Sequence, residues 1–142
     1  MFAQLARHLV LVDPLAVDWN HFTLPDKSEY LCTMGGSEKT QEELDCIYAE
    51  ILSDLPQAQF LRMSSLEAAA LIPACSLDMV YIDSIHTYEY CSAEIRAWLP
   101  TLRKGGIIAG DDYDPKCANA VSQAVDEIFG SKPRNRTWWE IV

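Results

Sequence analysis

Basic residues are scarce in this sequence. Eleven Lys and Arg stand against twenty-one Asp and Glu, a formal net charge of −10. A phosphate backbone or an anionic bilayer would repel such a chain, which argues against nucleic acid and membrane surfaces as partners, whereas a divalent cation would be drawn to it. Long apolar runs are lacking too: nothing approaches the ~20 residues that a membrane helix needs. The apolar N-terminus, MFAQLARHLVLVDPLAVDW, carries Arg7, His8, Asp13 and Asp18 and has no basic region ahead of a long apolar stretch, so it does not read as a signal peptide. A soluble, cytoplasmic protein is expected. The five cysteines, Cys32, Cys46, Cys75, Cys91 and Cys117, form no CxxC or Cys/His pair that would suggest zinc or a redox switch. They read as small buried hydrophobes in a reducing compartment. Repeats and low-complexity tracts are absent, and glycine is sparse, at six residues.

What is present is a globular composition, 49% hydrophobic and 23% charged over 142 residues, which fits one domain spanning 1–142. Short apolar runs alternate with helical periodicity, the signature of a mainly parallel sheet covered by helices. His8–Asp13 reads as a buried strand stopped by an acid and Pro14. Residues 14–36 form a long connection, with a short strand near Tyr30–Thr33. Ser37–Leu55 reads as a helix with Leu44, Ile47, Tyr48, Ile51 and Leu55 on one face, stopped by Pro56. Ala58–Ser64 is a second strand, and Ser65 is placed to cap a short helix through Leu71. Leu77–Asp83 is the third strand. A helix over Thr87–Leu102 follows, with Tyr88, Cys91, Ile95, Trp98, Leu99 and Leu102 as its buried stripe and Pro100 forcing a kink or an early stop. Gly105-Gly106 turns the chain into a fourth strand, Ile107–Gly110. A helix over Lys116–Phe129 ends at Gly130, and Thr137–Val142 reads as a last, antiparallel strand.

The acids mark a possible site. In a parallel sheet the carboxyl ends of the strands share one edge, and ligands bind in the crevice there. Asp13, Ser64, Asp83 and the Asp111-Asp112 pair all fall at such ends. Asp83, Asp111 and Asp112 offer hard oxygen ligands suited to Mg²⁺ or Ca²⁺, whose charge would offset their mutual repulsion; the alternative is that they cap the following helix and turns. His86, three residues beyond Asp83, overhangs the same edge as a general base or as a structural residue at a helix start. Asp13 stands where dinucleotide-type folds place an acid for ribose hydroxyls, or is a turn residue before proline. His8 and His21 have no evident partners.

The stretch LDMVYIDSIHTYEYCSAEIRAWLPTLRKGGIIAGDDY, residues 77–113, resembles class I S-adenosylmethionine-dependent methyltransferases of the methyltransferase domain 24 kind. The shared features are an apolar strand ending in Ile-Asp, a His three residues on and an aromatic soon after. A helix with an acid and Trp-Leu-Pro, a Gly-Gly turn, an apolar strand and a closing Asp-Asp-Tyr complete the match. The resemblance implies a Rossmann-like α/β fold with helices on both faces. By similarity to metal-dependent O-methyltransferases it implies Mg²⁺ on Asp83, Asp111 and Asp112. S-adenosylmethionine would contact Asp13 through its ribose, Ser64 and Ser65 on its adenine side, and Asp83. His86 falls where catechol-type enzymes carry a catalytic Lys. The implied reaction is methyl transfer to a hydroxyl of a small molecule, with His86 and Asp83 as the catalytic pair.

The family's first strand and its glycine-rich turn, which lets the backbone approach the methionine part of the cofactor, have no counterpart: only Met1–Arg7 precede the strand ending at Asp13. The chain reads as a methyltransferase fold lacking that first strand. Either the sheet closes across the gap or a homodimer covers the exposed surface. A non-catalytic ligand- or cation-binding or dimeric interaction module is the alternative function.

Overall fold

A computed structural model describes residues 7–13, 40–114, 116 and 119–142. The strand near Tyr30–Thr33, the start of the first helix at Ser37, His21, Cys32 and Cys117 lie outside these residues. The described chain falls into two compact units, Met1–Ala68 and Ala69–Val142.

In the first unit, β1 (Leu9–Val12) pairs in parallel with β2 (Ala58–Leu61), Leu9 opposite Ala58 and Val12 opposite Leu61. The crossover contains α1 (Gln41–Asp54), capped by Thr40. Thr40 and Glu43 form a reciprocal capping box there, each satisfying a backbone N–H of the other. Leu44 is buried, and Ile47, Tyr48, Ile51 and Leu55 are half-buried, the face that the periodicity indicates. Tyr48 meets Phe60 of β2 edge to face at 5.0 Å, and Arg62 lies over the Tyr48 ring while pairing with Asp45 at 2.8 Å. After β2 comes α2 (Ser65–Leu71). Its cap is Ser64, not Ser65: the Ser64 hydroxyl and N–H both donate to Glu67, whose own N–H returns to the Ser64 hydroxyl.

The second unit is built on a three-stranded sheet in the order β3 (Leu77–Ile82), β4 (Leu102–Gly110), β5 (Trp138–Ile141). β3 and β4 are parallel and β5 is antiparallel to β4, as the sequence indicates. The strand β4 begins five residues earlier than expected. Leu102 pairs with Leu77, and the register then jumps so that Met79 faces Ile107. Gly105-Gly106 is therefore part of an irregular strand rather than a turn before it, with Gly105 at φ +80.

The crossover helix α3 (Tyr88–Trp98) starts at Thr87, whose hydroxyl accepts from the Tyr90 N–H. Pro100 falls in a 3₁₀ turn, Leu99–Thr101, which ends the helix early. The buried positions of α3 are Tyr90, Cys91, Glu94, Ile95 and Trp98; Tyr88 is displaced to the rim, where it meets Glu127. The last helix, α4 (Ala120–Phe129), starts at Asn119 rather than Lys116, because the Asn119 side chain accepts the Ser122 N–H as a cap. α3 packs on α4 and on β3, and Phe129 of α4 contacts Trp138 of β5.

The described strands thus form two sheets, and no strand pairing joins β1 to β3 among the described residues. Each of these strands makes its described pairs within its own sheet. Among the described cysteines Cys91 is buried, but Cys46 and Cys75 are exposed, which corrects the reading of all five as buried hydrophobes. No described helix is long and apolar enough to cross a membrane.

Candidate functional site

The parallel register decides what meets what. Ile82 faces Gly110 at the carboxyl end of β3 and β4, so the residues directly after them, Asp83 and Asp111, emerge side by side. Gly110 makes this closeness possible. A Cβ there would stand 2.6 Å from the Ile82 carbonyl oxygen and 2.8 Å from the Trp138 ring.

Asp112 adopts a left-handed backbone, φ +59, a conformation that Asp tolerates better than most residues. The Asn119 side-chain amide donates to the Asp112 carbonyl at 2.9 Å and holds this kink. The turn brings Asp112 Oδ2 to 3.2 Å from His86 Nε2, while Asp83 Oδ1 lies 3.8 Å from the same nitrogen. One donor atom from each of Asp83, His86 and Asp112 lies within 4.8 Å of the others. Asp111 stands beside this group rather than in it, its Oδ1 turned towards Thr137 and Arg136.

The loop carrying Asp83 and His86 is pinned from below. Ser84 donates a short hydrogen bond to Glu94, an acid only 1% exposed on the inner face of α3. Ile85 is buried, and its carbonyl accepts from the Cys91 thiol. Sequence reasoning passed over Glu94, although its place on the stripe Cys91–Glu94/Ile95–Trp98 marks an acid on an apolar face. Beneath the loop is a cavity of about 10 Å³ lined by Asp83, Ser84, His86, Asp111 and Trp138 among others. That is room for about one water, so any larger ligand lies over the mouth of the site.

The local field is strongly negative. Partial burial, followed by the charges of Asp111 and Asp83, raises the Tyr81 phenol above its usual value, against a hydrogen bond with Thr137. The hydrogen bond to Asp112, then the charges of Asp112 and Asp111, raises the Arg136 guanidinium. Arg136 itself has no signal in the sequence, since the segment 131–137 carries no periodicity.

The donor set fits a divalent cation. The two carboxylates suit Mg²⁺ or Mn²⁺ completed by water, and His86 Nε2 stands beside them as either a further ligand or a base. The fit to S-adenosylmethionine is poorer. Asp13 ends β1, with its N–H bonded to the Leu61 carbonyl at 3.2 Å. Ser64 is occupied with the α2 cap. The described residues of the first unit include no glycine through which backbone could approach the methionine part of the cofactor. Asp13, Ser64 and Ser65 belong to the first unit, whereas Asp83, His86, Asp111 and Asp112 belong to the second.

Comparison with known proteins agrees with this architecture. No curated protein sequence matches the chain. A Klebsiella pneumoniae protein provisionally described as an O-methyltransferase superposes with a TM-score of 0.51 at 16% identity, over 94% of this chain and 64% of its own. The apo TDP-rhamnose 3′-O-methyltransferase of calicheamicin biosynthesis gives 0.49 at 22% identity over 91% and 56%. A protein from Corynebacterium glutamicum gives 0.48 at 17% over 84% and 48%. The chain thus spans about half to two thirds of the length of these structures. The α/β fold is that of methyltransferases. With the methyltransferase domain profile matching residues 1–113, from before β1 to just beyond the acids that close β4, the chain belongs to the methyltransferase domain family.

Proposed function

We propose that this protein takes part in metal-assisted methyl transfer from S-adenosylmethionine to a hydroxyl of a small molecule, with the second unit supplying the acceptor end. The observation that carries this reading is the meeting of Asp83, His86 and Asp112 at the carboxyl edge of β3 and β4, within 4.8 Å. Asp83 and Asp112 would hold the cation and Asp111 would flank it. A bound Mg²⁺ or Mn²⁺ supplies a Lewis acid that orients the acceptor oxygen and lowers its pKa.

The imidazole has one nitrogen facing both carboxylates, and Nε2 cannot bind a cation and accept a proton at once. With the carboxylates as cation ligands, Nε2 takes the acceptor proton. The Asp112 carboxylate 3.2 Å away then stabilises the imidazolium that forms. Glu94, through Ser84, holds the loop that presents both residues.

A second reading is cation binding without methyl transfer. The specific observation favouring it is that no described residue of the first unit offers a glycine for the cofactor's methionine part. A thermal-shift titration separates the two. Under the methyl-transfer reading, S-adenosylmethionine stabilises the protein by about 2.7 kcal/mol at a hundredfold excess over its dissociation constant, and Mg²⁺ or Mn²⁺ stabilises it independently. A shift with the cation alone selects the second reading. No shift with either, or a cation shift that survives the Asp83→Asn, Asp112→Asn double substitution, refutes the site. Asn tolerates the left-handed backbone at 112, so that substitution removes charge without adding strain.

A further inference from the structure

We infer that Arg136 is a tethered internal cation for the acidic edge, neutralising it when no metal is bound and opposing divalent cations when they arrive. The inference rests on the cation site proposed above and assigns a regulator to it.

The geometry is asymmetric in a telling way. The Arg136 backbone is fixed, because its carbonyl accepts the Tyr113 N–H at 2.9 Å. Its side chain is 75% exposed, and its guanidinium meets two carboxylates: Nη2 to Asp112 Oδ1 at 2.5 Å and Nε to Asp111 Oδ1 at 3.7 Å. An exposed pair of this kind is weak and undocks easily. The anchored backbone nevertheless keeps the positive charge within reach of the site whether the side chain is docked or swung away.

Two effects of that charge compete. Arg136 holds Asp112 Oδ1, leaving Oδ2 aimed at His86, so it helps orient a cation ligand. It also places a like charge beside the cation. Orientation by an exposed ion pair changes affinity by a few-fold at most. Two like charges, one of them divalent, repel at about 4–6 Å strongly enough to lower an affinity roughly tenfold even with water-like screening, and Arg136 and the cation would share the Asp112 carboxylate. Repulsion therefore wins, and it fades as salt shortens the Debye length. Without metal the sign reverses, since Asp83, Asp111 and Asp112 repel one another and Arg136 is the cation that relieves them.

The test compares the full chain with Arg136→Gln, Arg136→Lys and, as a control for net charge, Arg96→Gln, whose partner Glu127 lies on the outer side of α3 and α4. Mn²⁺ and Mg²⁺ affinities are read by calorimetry and thermal midpoints are read without metal, both at low and high salt. Arg136→Gln is expected to bind the cation about tenfold more tightly at low salt while melting earlier without metal. Arg136→Lys should bind as the unaltered chain does, and Arg96→Gln should leave cation affinity unchanged. Equal or weaker binding by Arg136→Gln overturns the inference and leaves the cation site standing, with Arg136 reduced to an orienting partner. An equal gain in Arg96→Gln also overturns it, because the effect would then belong to net charge. Absence of cation binding in every variant overturns both this inference and the site it rests on.

Discussion

Replacing Gly110 with Ala tests whether register builds the site. The new Cβ would lie 2.6 Å from the Ile82 carbonyl oxygen and 2.8 Å from two atoms of the Trp138 ring, whereas carbon atoms at optimal separation lie about 3.5–4.0 Å apart. Neither neighbour yields freely. Ile82 is in the β3 ladder and its carbonyl accepts the Asp111 N–H at 3.3 Å, while Trp138 is buried against Phe129. Overpacking of this kind costs about 1–3 kcal/mol, and loosening the Ile82–Asp111 hydrogen bond adds roughly 1 kcal/mol. The expected loss is about 2–4 kcal/mol, which for a chain of this size lowers the melting temperature by on the order of 10 °C. Chemical denaturation followed by circular dichroism measures it. Measured in a Trp138→Leu background, the cost of Gly110→Ala should fall only in part, since the carbonyl contact remains. A loss below about 0.5 kcal/mol, the range of an ordinary surface change, would refute the argument that β3 and β4 close tightly beneath the acids.

Other perturbations follow the same logic. Arg134, whose side chain is 3% exposed, bridges Asp126 at 2.7 Å and Glu140 at 2.6 Å and lies over the Tyr113 ring. Arg134→Met should cost about 1–3 kcal/mol in urea denaturation, since Asp126 keeps the Tyr113 hydroxyl and Glu140 keeps Lys132, and a neutral result would show that the network contributes nothing. For Glu140, burial alone would raise the carboxyl, but hydrogen bonds from Lys132 and Arg134 and their charges together hold it below its ordinary value. A depressed folded-state pKa gives stability that is complete above the unfolded value of about 4.3 and lost as pH falls through the folded one. Glu140→Gln should therefore flatten the acid limb of a melting-temperature profile below about pH 5, and an unchanged slope there would contradict the ion-pair account. Glu94→Ala should destabilise the fold by roughly 1–3 kcal/mol and weaken cation binding, with Glu94→Gln milder in both; cation affinity untouched by either variant would detach Glu94 from the site. The homodimer expected from the incomplete sheet is checked by sedimentation velocity. A monomeric unaltered chain would end that expectation.

Much of the fold was legible because strand and helix carry different periods. Leu77–Asp83 and Ile107–Gly110 read as strands from apolar runs, and the acids that close them read as an edge because parallel strands end together. Helix starts were less legible. The last helix begins at Asn119, a good cap whose side chain accepts the Ser122 N–H, and a start at Lys116 overlooked that signal. Gly105-Gly106 looked like a turn because glycine pairs usually are, and only the pairing of Leu102 with Leu77 reveals an irregular strand. In the site, Asp83 and His86 were visible through strand end and spacing. The left-handed backbone of Asp112 was not, and it is what separates Asp112 from Asp111. Arg136 was invisible since its role depends on where a non-periodic segment returns to the sheet. Glu94 could have been found, as an acid three residues from Cys91 and four before Trp98 must face inward with them.

The separation of the site residues between units bears on how the chemistry can be tested. The cation cluster depends on three features, all internal to the second unit: the Ile82–Gly110 register, the Asp112 kink held by Asn119, and the loop held by Glu94. Asp13 and Ser64 depend on a different register, that of β1 with β2. Cation binding is therefore expected to survive changes at Asp13, and a ribose contact at Asp13 to survive changes at Asp83. Asp13→Asn should abolish any stabilisation by S-adenosylmethionine while leaving that by Mn²⁺ intact. Loss of both from this single substitution would show that the two registers are energetically one, and that the methyl donor and the cation are bound by a cooperative whole.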